Sequence, residues 1–384
     1  MRAPKRFQMD GNRTRVRPIM NRVLSASVFV LLALASWGTQ AVAADLRIGL
    51  AIPESGSFAP LGRQVREGFE VWQIENNDEF TDLVEGEDRC DAASGVESAQ
   101  SLAEAGVDIV VGYLCAESLA AALPILSAEG IPVLTLTVRA DILTEEAQRN
   151  DWRFYRLAPR DSKEAEVATE AIISLWADQS FALIEDGTIQ GRELVEAIRV
   201  ALEERGLKPN FIDNYRPGQD RQPSLVRRLK AAGVSRVFAG GDRSDLAIIA
   251  RDAKAAGLDL RFMGGDALNA PRGEIPIPEG TLAIIATDAL PDAASSSAAS
   301  AFAEVGLPIE GLRLPAYVAA QILGALAPMH ESSNLGDLLE RGQYGTALGI
   351  VSFDSDGERQ QPGFSLAEWR DGRFERVTSG TPQN

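Results

Sequence analysis

The stretch Ala105-Gly-Val-Asp-Ile-Val-Val-Gly-Tyr-Leu-Cys-Ala-Glu-Ser118 decides the fold. Val107 to Val111 is a short apolar run with little polar alternation, the pattern of a strand buried on both faces. Ala105-Gly106 ends whatever precedes it, and Gly112 to Ser118 opens a helical pattern from Glu117 to Ala128. A doubly buried strand between two helices calls for parallel neighbours, because parallel strands need long crossovers. The stretch also has an echo. Leu102, Ala105-Gly106-Val107, Val110, Ala128 and Gly130 recur 127 residues later as Leu229, Ala232-Gly233-Val234, Val237, Ala255 and Gly257. Ala-Gly before a strand is a common helix end on its own. Repeated matches at a single offset favour two related α/β halves.

Outward from this stretch the alternation continues. Strands are expected at Leu46–Ile52, Ile131–Thr135, Phe181–Ile184, Phe211–Ile212, Val234–Phe238 and Leu260–Met263, with helices over Gly62–Asn76, Ser162–Trp176 and Gly191–Glu204, and from Pro223 and Ser244. Ala293 to Ala299 reads as a loop or a loose helix start. The end reads as strands (Leu348–Phe353, Phe364–Trp369, Phe374–Val377) separated by Asp/Gly turns. The fold class is therefore α/β, with two Rossmann-like lobes of parallel sheet.

The chain has 384 residues and a formal charge of −17, which argues against nucleic acid as a partner. That charge is uneven. Residues 1–23 carry seven Lys/Arg and one acid, so the remainder is near −23. The basic start runs into an apolar segment at Leu24–Ala35 and then Ala41-Val42-Ala43, the layout of a secretory signal peptide over 1–43 cleaved after Ala43. Met20 offers an alternative start. The apolar run is too short to span about 30 Å of hydrocarbon comfortably, and with no Cys near the cleavage site lipid anchoring is not expected. The mature protein is expected to be free and soluble outside the cytoplasm. Cys90 and Cys115 are the only cysteines, and in an oxidising compartment a lone pair is expected to bridge.

P-loop, Gly-x-Gly-x-x-Gly, His-Glu-x-x-His and Gly-x-Ser-x-Gly motifs are all absent from the sequence, and its single histidine is His330. Enzyme activity, a cofactor and a metal site are not expected. The chemistry-bearing residues lie instead where strands give way to helices, the usual place for ligands in α/β halves: Pro53-Glu-Ser-Gly-Ser57, Gly112 to Ser118, Thr137 with Arg139, Asp186 to Gly191, and Gly240 to Asp245.

These residues resemble the leucine/isoleucine/valine-binding proteins, the type I periplasmic solute-binding proteins of ABC importers. The resemblance rests on Ile48-Gly-x-x-x-Pro-x-Ser-Gly56, Val110-Val-Gly-x-Leu-Cys-x-x-Ser118, Gly130-Ile-Pro, Arg156 to Asp161, Ala255-Ala-Gly-Leu, Gly264-Gly, Tyr317 and Gly349-x-x-x-Phe-Asp-x-x-Gly357. It implies two lobes joined by three hinge crossings near Ala158–Arg160, Asp266–Leu268 and Thr346–Leu348. Lobe 1 would comprise 44–159 with 267–346, and lobe 2 would comprise 160–266 with 347–384. It further implies capture of a small amino acid, amide or carboxylate in an interlobe cleft, with ABC permease and ATPase subunits as partners. An exported sensor reporting to a membrane receptor is the alternative use of the same fold.

The pocket positions depart from the family pattern. Relatives that bind amino acids hold the α-carboxylate with hydroxyls just after the Cys and in a Ser/Ala-Thr segment. Those positions are Ala116 and Arg139 here, the latter following Thr137-Val138. The acid for the α-ammonium aligns with Asp245, or alternatively Asp242. Aromatic positions carry Gln190 and Leu61, and Ser55, Glu117 and Asp161 complete the candidates. A guanidinium grips a carboxylate bidentately. Arg139 is thus either the ligand's anchor or a surface arginine paired with Asp141 or Glu145. Asp245 and Glu117 are either ligand contacts or acids favoured in a first helical turn.

Overall fold

The computed structural model describes residues 46–76, 82–270, 273–290, 292–332 and 334–377. The expected signal peptide and its cleavage site lie outside the described residues. The deciding stretch forms β3 (Ile109–Gly112), every residue of it buried. It sits at the centre of a five-stranded sheet with β1 (Arg47–Ile52), β2 (Asp82–Glu87), β4 (Val133–Thr135) and β5 (Phe154–Arg156), in the order β2-β1-β3-β4-β5. All four pairings are parallel. The intervening helices are α1 (Ala59–Glu75), α2 (Ala92–Glu104), α3 (Ala116–Ala128) and α4 (Asp141–Asn150).

The second sheet repeats this order. Its parallel strands β6 (Phe181–Glu185), β7 (Phe211–Asn214), β8 (Arg236–Gly240), β9 (Arg261–Gly264) and β10 (Leu282–Ala286) run β10-β9-β8-β6-β7, and β13 (Phe364–Arg370) and β14 (Arg373–Arg376) extend it antiparallel beside β10. β3 and β8 hold equivalent places in the two orders, as the echo in sequence implies. Helices α5 (Asp161–Trp176), α6 (Ile189–Glu204), α7 (Pro223–Ala232) and α8 (Arg243–Ala255) belong to this lobe.

The sheet pairings move two of the expected crossings. After β9 a 3-10 turn at Asp266–Asn269 leads on to β10, whose Leu282 pairs with Met263 on one side and Glu368 on the other. Leu282–Ala286 is an unbroken apolar run, wholly buried, and only a place inside the sheet satisfies both its faces and its backbone. The second crossing therefore follows Ala286 rather than lying at Asp266–Leu268. Beyond it, α9 (Ser296–Glu304) and α10 (Arg313–Leu326) return to the first lobe, where Ala298, Phe302, Tyr317 and Leu323 pack with Ile48, Phe69 and Trp72. Then come α11 (Leu335–Arg341) and the hairpin of β11 (Tyr344–Thr346) and β12 (Gly349–Val351). Ala347, Val351 and Phe353 belong to that same core, so the third crossing runs from Phe353 to Phe364 and not at Thr346–Leu348. The Ser/Ala patch is a true helix start, with Ser295 Oγ accepting the Ala298 N–H at 3.3 Å.

Candidate functional site

The first-lobe loops are fixed from beneath. Gly112, at φ +125°, ends β3 where an added Cβ would lie 2.2 Å from the Ala51 carbonyl, so only glycine fits. Cys90 and Cys115 form a disulfide that ties the loop before α2 to the residue capping α3. Beside it the buried Asp88 carboxylate accepts from Ser118 Oγ at 2.8 Å and from the Cys90 N–H at 3.0 Å. Burial pushes its pKa up, against the pull of those donors. Thr137 Oγ1 donates to the Leu114 carbonyl at 3.0 Å and links this loop to the one after β4.

From that second loop Arg139 reaches the other lobe. Its Nη1 lies 2.9 Å from Asp266 Oδ2 at the end of β9, and its guanidinium sits over the Phe364 ring, 5.2 Å from the centroid. Burial alone would lower the Arg139 pKa, but the charge and hydrogen bond of Asp266 outweigh it and leave the group more basic than a free arginine. Asp266 is held on three sides. Its Oδ1 accepts the Ala286 N–H at 2.8 Å, and its own N–H donates to Glu164 Oε1 at 2.8 Å. Glu164 is 4% exposed, and burial pushes it up to about 7.

Arg139 and Thr137 line a cavity of about 1190 Å³. The lining also includes Gln64 from α1, Pro159 from the first crossing, Asn269 from the second lobe and Asp288 from the second crossing. Its other wall is apolar, formed by Leu290, Phe302, Leu307 and Leu314. A site with a charged end and an apolar wall can hold a small amphipathic molecule by its head group.

The remaining candidates take other places. Asp161 opens α5, and its N–H donates to the Arg139 carbonyl at 3.2 Å, so it supports Arg139 from the backbone. Ser55 Oγ is exposed and bonds Glu87. Ala116 and Glu117 are exposed in the first turn of α3, and Gln190 is exposed in that of α6. Asp242 caps α8 by accepting the Asp245 N–H at 3.0 Å. Asp245, only 2% exposed, accepts the Gly218 N–H at 2.9 Å and so pins a neighbouring loop. Asp141, an expected partner of Arg139, is taken by Arg160 and by the Ser162 N–H. Asp266, Glu164, Asp288 and Gln64 escaped the sequence reading. Asp266 alone carried a signal, since it follows the Gly264-Gly pair at a strand end.

Two α/β lobes of matching topology, crossed three times by the chain and enclosing a cavity beside their strand ends, define a two-lobed ligand-binding protein. The sequence model of the family described as periplasmic binding protein matches residues 45–372, and the chain belongs to that family. It is 27% identical over 344 residues to the Leu/Ile/Val-binding protein homolog 1 of Brucella suis, a match covering 86% of this chain and 91% of the relative. In fold it is similar to an ABC transporter substrate-binding protein from Desulfitobacterium hafniense in complex with Leu (TM-score 0.69, 21% identity, covering 87% and 100% of the two chains). It is also similar to a solute-binding protein from R. palustris in complex with 4-hydroxybenzoate (TM-score 0.67, 15% identity, covering 87% and 96%). Among the described residues no helix is long and apolar enough to cross a membrane.

Proposed function

We propose that this protein captures a small amino acid, amide or carboxylate in the cavity between its lobes and delivers it to the permease of an ABC importer. In this reading the mature chain starts at Ala44 and works as a free monomer in the periplasm. The observation that carries the reading is Arg139, a first-lobe guanidinium that lines the cavity while paired with Asp266 of the second lobe at 2.9 Å. Of its five N–H donors the pair engages Nη1, which leaves donors for a ligand carboxylate. A ligand held by groups of both lobes shifts their open–closed equilibrium, and the closed form is what docks on the permease. The relatives bracket the ligand class, since one solved neighbour holds Leu and another 4-hydroxybenzoate, both bearing a carboxylate.

Native mass spectrometry of protein purified without refolding, followed by a thermal-shift screen of amino acids, amides and carboxylates, tests the reading, because a ligand of the folded state raises the melting temperature. Arg139→Ala should weaken binding of a carboxylate-bearing ligand at least tenfold, the loss expected when a charge-assisted hydrogen bond is removed. Unchanged affinity would remove Arg139 from the site.

A further inference from the structure

The acid that the family pattern assigns to a ligand's cationic group is committed elsewhere, because Asp245 is buried on Gly218 and Asp242 caps its own helix. Two other acids line the cavity, Glu310 and Asp288; Glu310 is largely exposed and faces Arg313, whereas Asp288 is largely enclosed. It stands on the second crossing, just past the end of β10, and its neighbour Thr287 fastens this crossing to the third lobe-to-lobe passage. The Thr287 N–H donates to the Gly363 carbonyl at 2.9 Å, and its hydroxyl shares a hydrogen bond of 3.1 Å with Ser365. Behind Asp288 lies Arg359, with a side chain only 5% exposed. Their closest approach is 3.9 Å, ion-pair range but beyond a hydrogen bond. Arg359 therefore sets its positive charge beside Asp288 without occupying the carboxylate's acceptors. Among the described residues the Asp288 carboxylate makes no side-chain hydrogen bond, although it is largely enclosed. A carboxylate in that state, facing a cavity with a guanidinium at the same end, is short of a donor.

We propose that Asp288, positioned by Arg359, accepts the cationic or N–H donor group of a ligand whose carboxylate lies on Arg139, and so selects amino acids over simple carboxylates. The proposal rests on the carboxylate reading of Arg139 given above. The apolar wall of Leu290, Phe302, Leu307 and Leu314 then receives the ligand's side chain. A carboxylic acid lacking the amino group meets Asp288 with nothing to offer and suffers its like charge.

Calorimetric titration of the full mature protein with the common L-amino acids and, for each, the same acid without its amino group tests this. Leucine against 4-methylpentanoate and phenylalanine against 3-phenylpropanoate are such pairs. The wild type should prefer the amino acid of the best-binding pair, and Asp288→Asn should cut that affinity on the order of 10–100-fold while leaving or raising affinity for the des-amino acid. Retained binding of the des-amino acid shows that the variant is folded. Arg359→Met should narrow the same selectivity ratio and Arg359→Lys should restore it, which a merely structural role would not do. If only the des-amino acids bind, or Asp288→Asn weakens both members of a pair equally, the proposal is overturned and the Arg139 reading stands. If neither series binds, the Arg139 reading falls and the proposal falls with it.

Discussion

Glu164 makes a sharp test of the electrostatics beneath the site. It is 4% exposed on α5, receives the Asp266 N–H at 2.8 Å, and titrates at about 7 where an ordinary glutamate titrates at 4.5. Desolvation is the main cause, with the like charge of Asp266 adding to it, while the N–H donor and Arg139 pull the other way. A carboxyl with a raised folded-state pKa binds its proton more tightly in the native protein than in the unfolded chain. Native stability from this group is therefore complete below pH 4.5 and is lost as pH rises towards 7. Linkage puts the loss at about 1 kcal/mol at pH 5, ~2 at pH 6 and ~3 at pH 8. Glu164→Gln keeps an oxygen to accept the Asp266 N–H but never ionises. Its stability relative to wild type should rise by about 3 kcal/mol between pH 4 and pH 8. Urea denaturation at pH 4, 5, 6, 7 and 8, with the disulfide intact, measures the difference at each pH. A difference that stays flat across this range would falsify the account of Glu164 as a carboxyl buried at the cost of its charge.

Two further outcomes concern the frame. The Cys90–Cys115 bridge closes a loop of 25 residues, so replacing both by serine should cost about 3 kcal/mol of stability on the chain-entropy account, read as a lower urea midpoint than wild type; no shift would mean that the loop is held without the bridge. Arg156 is wholly buried beneath the third crossing, 3.3 Å from Glu358 by its Nε and bonded by Nη2 to Thr144 Oγ1 at 2.7 Å and the Ala140 carbonyl at 3.0 Å. Glu358→Ala should cost ~3–5 kcal/mol by stranding a buried charge, whereas the double variant Arg156→Met, Glu358→Leu should cost less, and equal losses would show that the pair's charge is not what matters.

The parallel α/β architecture was legible because strands buried on both faces are spelled as apolar runs, and β1, β3, β6, β8 and β9 all have such spelling. The edge strand β2, Asp-Leu-Val-Glu-Gly-Glu, is only partly buried and lacks that spelling. β10 is apolar enough to read as a strand, but the sheet it joins cannot be read from it. Its antiparallel neighbour β13 lies some 80 residues further on, and sheet membership at that separation leaves no mark in local pattern. The site was half legible for a similar reason. Arg139 and Thr137 announce themselves after a strand end, but an ion pair is a property of two positions. Nothing near Arg139 in sequence names Asp266, whereas Asp141, two positions from Arg139, is claimed by Arg160 at the first crossing.

The net charge of −17 does not decide the ligand, and the local charges constrain it much more closely. Around the charged end of the cavity stand two guanidiniums, Arg139 and Arg359, and the carboxyls of Asp161, Glu164, Asp266 and Asp288. Two unit charges 4 Å apart interact by about 4 kcal/mol at an effective dielectric constant of 20, so one uncompensated acid at that range weighs heavily on a ligand's charge. Glu164, titrating at about 7, removes part of one negative charge at neutral pH, and Asp266 is neutralised by Arg139 itself. What is left is a small negative excess that a bare carboxylate would deepen and an ammonium would relieve. A ligand with both groups leaves the cluster's net charge unchanged while satisfying Arg139 and Asp288 together. On the proposed reading of Arg139 and Asp288, this balance favours an amino acid over a simple acid.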